Sequence, residues 1–82
     1  PLQALNLMNS AFVVDQAKHL ADRAQMDSGN NLKKSVIRVF ELIFTRRPSK
    51  NELEASLEVA KDRGLEIVCR ALINSNEFAF LP

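Results

Sequence analysis

Apolar residues along this chain recur every third or fourth position, and no stretch alternates apolar with polar for long. That spacing puts side chains on one face of an α-helix, whereas a half-buried strand needs a period of two. A chain patterned this way folds by laying helical stripes against one another. Val13, Ala17, Leu20, Ala21 and Ala24 form the first long stripe, on a helix expected from Ala11 to about Met26. Asp15, Lys18, Asp22 and Arg23 lie opposite, spaced for weak surface pairs. Leu32, Val36, Val39, Phe40 and Ile43 form a second stripe, which Ile37, Leu42 and Phe44 widen. A helix from about Leu32 to Thr45 with so broad a face belongs in the middle of the molecule. Leu53, Leu57 and Ala60 turn a third helix inward, and Leu65, Val68, Cys69 and Leu72 stripe a fourth from Leu65 to Ile73.

The breaks between stripes carry their own chemistry. Ser10 is placed to cap the first long helix. Asp27-Ser28-Gly29-Asn30-Asn31 is a loop, with Gly29 as the terminator. Pro48 stops the second helix because it has no amide hydrogen and blocks the preceding turn. Ser49 and Glu52 then have capping-box spacing, each side chain satisfying the other's main-chain amide. Gly64 separates the last two helices. With a short apolar segment, Leu2 to Met8, as an N-terminal helical turn, the expected fold is all-α: a compact bundle of about four helices, largely antiparallel across short connections. Residues 1–82 read as a single domain. A core of this size supplies about 3–5 kcal/mol.

Composition closes off several kinds of chemistry. Hydrophobic residues are 46% and charged residues 26%, a globular balance. Cys69 is the one cysteine and His19 the one histidine, too few for a disulfide or a tetrahedral zinc framework. No haem-attachment motif is present, and no cofactor or metal is expected. A lone thiol neither requires nor forbids an oxidising compartment. The apolar runs are far shorter than the ~20 residues a membrane span requires. The chain opens on Pro1 without a signal-peptide pattern, so it reads as a piece of a larger protein.

No catalytic constellation emerges. His19 has Asp15 one turn earlier, which makes a local pair the simpler reading. Cys69 lies on an apolar stripe with Arg70 about 100° around the helix, as a core thiol would. The polar run Asn74-Ser75-Asn76-Glu77 has no second acid or base with reason to be near Glu77. It matches Asn9-Ser10 in being preceded by two apolar residues and followed by a phenylalanine. One device explains both: Asn in the left-handed conformation ends a helix, Ser caps the next turn, and Phe12 or Phe78 folds back as a plug.

Charge is segregated. Residues 33–50 carry Lys33, Lys34, Arg38, Arg46, Arg47 and Lys50 against Glu41 alone, while residues 51–82 are net acidic. Two readings stand: a basic patch for an anion or nucleic acid, or a basic helix end facing an acidic helix start. The net charge of +1 and the lack of a base-stacking aromatic among the cations, with Phe40 and Phe44 assigned to the apolar face, argue against a nucleic-acid partner.

The motifs also carry a resemblance. PLQALNLMNSAFVVDQAKHLADR, FTRRPSKNEL and CRALINSNEFAF, in that order, resemble stretches of the domain of unknown function 1553, the PSD-one family, abundant in planctomycetes. Ala11 stands where that family often has Pro, and Thr45 where Gly is common. The resemblance implies the C-terminal portion of a larger, exported protein with haem-containing domains upstream, and it lends no catalytic assignments to carry over. The expected role is a non-catalytic helical module that packs on its parent chain or another protein. The alternatives are an anion- or nucleic-acid-binding module built on the basic segment, and the pocket-closing part of an enzyme or redox protein.

Overall fold

A computed structural model describes residues 10–75. The expected helical turn at Leu2–Met8, and Asn9, Asn76, Glu77 and Phe78, lie outside the described residues.

Helix α1, Ala11–Asp27, begins where Ser10 leaves extended backbone and its Oγ accepts from the amide of Val13 at 3.1 Å. Ala11 is thus the first helical residue, a position where proline also fits, since its amide has no partner within the helix. The buried face is Val13, Ala17, Ala21 and Ala24; Phe12 is not the expected plug but lies exposed, because Val13, one residue on, takes the inward position of the first turn. Three alanines in that face let neighbouring helices come close. The helix ends in a Schellman arrangement: the amide of Asn30 donates to the carbonyl of Gln25 at 2.9 Å and that of Gly29 to Met26 at 3.5 Å. Gly29 and Asn30 both have positive φ, 65° and 66°.

Helix α2, Leu32–Phe44, is capped by Asn31, whose Oδ1 accepts from the amide of Lys34 at 2.9 Å. It buries Ser35, Val36, Val39 and Phe40. It stops at Thr45, which takes the left-handed conformation (φ 56°, ψ 32°) and returns its amide to the carbonyl of Glu41. A β-branched residue is strained there. Helix α3, Lys50–Arg63, follows the turn and starts on the complete Ser49–Glu52 capping box. Ala60 is buried, with Leu53 and Leu57 half-buried against the core. Helix α4, Leu65–Ile73, begins at once and buries Leu65, Val68 and Cys69. Gly64 closes one helix and opens the next at φ 99° and ψ 156°, a combination open in practice to glycine alone.

The described residues form an all-α bundle of these four helices, without strands. Helices α2 and α4 each pack on the other three neighbours available to them, and α1 and α3 flank that central pair. The core is one cluster in which Phe40 is the largest fully buried side chain. Ser35 is a buried hydroxyl that the apolar pattern does not include. It is satisfied by donating to the carbonyl of Asn31 at 2.8 Å and lies 2.6 Å from the hydroxyl of Ser28, which joins the end of α1 to α2. Asn74 departs from expectation as well: it caps α4 at φ −90°, not left-handed. Its side-chain amide reaches the carbonyl of Arg70, so the helix end is satisfied without a change of backbone hand.

Two helix ends are therefore under opposite backbone constraints. Replacing Thr45 by glycine is expected to raise the unfolding free energy by about 1 kcal/mol, because it removes a Cβ from left-handed backbone. Gly64→Ala is expected to lower it by about 1–3 kcal/mol, even though an added Cβ would meet no atom within 4 Å. Urea unfolding followed by circular dichroism measures both; a destabilising Thr45→Gly would contradict the assignment of strain.

Candidate functional site

The polar residues at the helix ends serve the main chain. The amides and side chains of Ser49 and Glu52 exchange bonds of 2.8 and 3.2 Å. The Asn74 side chain donates to Arg70 at 2.9 Å, and the Ser75 hydroxyl donates to the carbonyl of Leu72 at 2.7 Å.

The basic segment divides into parts with different fates. Arg46 leaves α2 and lays its guanidinium on Glu52, Nη1 to Oε1 at 2.8 Å and Nη2 to Oε2 at 2.9 Å. The same guanidinium lies 5.7 Å from the centroid of Phe40 and 5.4 Å from that of Phe44. One cation thereby covers the aromatic edge of the core and fixes the start of α3. Arg38 is also engaged: Nε meets Asp27 at 2.9 Å, and Nη1 lies 3.5 Å from Glu41. Asp27 takes a second arginine, Arg23, at 3.4 Å. Lys33, Lys34, Arg47 and Lys50 are exposed, and no described residue forms an ion pair with them.

Four of the six cations share one place. Lys33, Lys34, Arg38 and Arg47 line an open groove of about 570 Å³ beside α2, together with Ile37 and the carboxylates Asp27 and Glu41. Positions 34, 37, 38 and 41 are one helix face, which explains why they meet. Arg46 and Lys50 lie outside this lining. The pairing of Arg46 with Glu52 fits the mutual reading of the charge split, whereas the groove keeps a basic surface exposed.

The remaining chemical side chains are not gathered into a site. Cys69 is fully buried, and burial, reinforced by the charge of Glu66, pushes its thiol up to about 12. Such a thiol is neither ionised nor reachable at neutral pH. His19 is exposed, its Nδ1 3.6 Å from Asp15. Among the described residues no group of three or more His, Cys, Asp or Glu side chains is placed to hold a metal ion, and no helix is long and apolar enough to cross a membrane.

Sequence reasoning missed three long-reach contacts: Arg46 over Phe40 and Phe44, Arg38 with Asp27, and Ser28 with Ser35. Ser35 carried a signal, since 32, 35, 36, 39 and 40 complete the helical stripe. The arginine contacts carried none: Arg38 with Asp27 depends on how α1 and α2 meet, and Arg46 reaches back over Phe40 and Phe44 only because the chain turns at Thr45.

Acid should expose the Arg46–Glu52 contact. The hydrogen bonds from Arg46, then from the amide of Ser49, hold the Glu52 carboxyl down from 4.5 to about 2. A depressed folded-state value contributes stability above the ordinary carboxylate range and loses it as pH falls toward the folded value. The melting temperature is expected to drop between pH 4.5 and about 2, and Glu52→Gln to lose less over that window. Part of the drop persists in the variant, because Arg38 also holds Asp27 below its ordinary value. For Cys69, labelling by an aromatic disulfide reagent is expected only on unfolding; rapid labelling of native protein would place the thiol at the surface.

Comparison with known proteins adds one match. The family model PSD1, "Protein of unknown function (DUF1553)", matches residues 1–60. That stretch runs through α1 and α2 and ends at Ala60 within α3; the closing motif CRALINSNEFAF lies beyond it. No curated protein and no solved structure matches the chain. The match covers most of the chain, which therefore belongs to the PSD1 (DUF1553) family of proteins of unknown function.

Proposed function

We propose that this chain is a non-catalytic helical module, a single unit of a larger protein, that packs against the rest of its parent or against another protein. The observation that carries this reading is apolar: Phe12 and Met26 are 69% and 80% exposed at the two ends of α1, and Val59 is exposed on α3. Beside Val59 lies a shallow apolar groove formed by Ala55, Val68, Ala71 and Leu72. Singly exposed apolar side chains are ordinary; it is where they adjoin further apolar surface, as Val59 does at this groove, that they favour a partner. The polar chemistry of the described residues is compatible with this role, since their hydrogen bonds and ion pairs cap helices, join them or run along one helix.

Calorimetric titration of the 82-residue chain against the remainder of its parent protein tests the reading. Binding with a negative heat-capacity change is expected, as burial of apolar surface requires. Phe12→Ser with Met26→Ser is expected to weaken it about tenfold or more, while leaving the chain's own melting unchanged. If the chain instead bound no part of its parent, and its deletion abolished a turnover by that parent without touching the parent's fold, the pocket-closing reading would replace this one.

A further inference from the structure

We infer that the groove beside α2 seats an acidic polypeptide segment of a partner protein, which gives the interaction module a second, electrostatic contact in addition to its apolar one. The inference rests on the reading of the chain as an interaction module and names the chemistry of what it takes.

Three observations point to peptide. Lys33, Lys34 and Arg47 line the groove and form no ion pair with a described residue, so their charge is available to a ligand. Arg38 is different: Asp27 and Glu41 hold it from two sides, a fixed guanidinium whose Nη2 has no described acceptor. The groove lining includes the aliphatic Ile37. This mixture suits a chain that brings carboxylates for the cations, amide hydrogens for Asp27 and Glu41, and an apolar side chain for Ile37. It suits a nucleic acid poorly. The two carboxylates repel a phosphate backbone, and no aromatic side chain lines the groove to stack on a base.

Helix geometry sets the spacing. From Lys34 to the end of α2 at Phe44 is about 15 Å at 1.5 Å per residue, and Arg47 lies beyond that end. An extended peptide covers about 15 Å in four to five residues. A segment with acidic residues about that far apart and an apolar one between them would reach both ends of the groove. Steering by the exposed lysines would make association fast and dependent on salt.

Fluorescence anisotropy with a fluorescein-labelled peptide of alternating Glu and Leu provides the test, with single-stranded oligothymidylate as the competing probe. The 82-residue chain is expected to bind the peptide saturably at low salt, and less tightly as salt rises. Lys33→Glu, Lys34→Glu and Arg47→Glu together are expected to weaken binding about tenfold or more. Lys18→Glu with Lys61→Glu, exposed cations away from the groove, should leave it unchanged. Arg47→Ala, in the turn outside any helix, gives a second, milder readout should the triple variant fail to fold. Peptide binding that survives the groove substitutions, absence of saturable binding, or oligothymidylate held as tightly as the peptide would each overturn the inference. Loss of it would leave the Phe12 and Met26 titration against the parent unaffected, so the two readings fail separately.

Discussion

Burial of Phe40 is the constraint around which the bundle is arranged. It is the largest fully buried side chain in a core otherwise made of valines, alanines, Leu65 and Cys69. Burying a side chain of that size contributes about 1.5–3 kcal/mol, a large share of what a domain this small can hold. To enclose it, α2 must be covered on several sides, and the three alanines of α1 supply a face shallow enough to approach closely. Arg46 then completes the enclosure from outside, resting on Phe40 and Phe44 while its fork holds Glu52.

That arrangement links core to connection. The side chain that shields the aromatic pair is the one that pairs with the capping box, so the end of α2 and the start of α3 are set together. As a half-exposed surface ion pair Arg46–Glu52 contributes about 0–1 kcal/mol; its importance is geometric. Arg38 performs a similar task between α2 and the end of α1 through Asp27. In both places arginine joins consecutive helices across the connection between them.

Spending two arginines on the scaffold changes the character of the basic segment. What remains exposed is a smaller set, Lys33, Lys34 and Arg47 around a fixed Arg38, beside two carboxylates. A uniform cationic patch would have indicated an anion in general. The groove is instead mixed, with Ile37 and two carboxylates in its lining, and it lies on a molecule that also exposes Phe12, Met26 and Val59.

Helix content, helix ends and most of the buried stripe were legible in the residues alone. Val13, Ala17, Ala21 and Ala24 follow from spacing, and the Ser49–Glu52 box follows from local reach, because these relations span only a turn of one helix. The left-handed Thr45 was foreshadowed only as a departure from a glycine-rich position. Of the candidate surface, the sequence determined which cations exist and that 34, 38 and 41 share a face. Tertiary structure alone decided that Arg46 turns to Phe40 and Glu52, that Arg38 meets Asp27, and that Arg47 joins the lysines at one groove. The reason is physical: capping and periodicity are set by bonds within about four residues, whereas partners across helices depend on packing angles that no local pattern encodes.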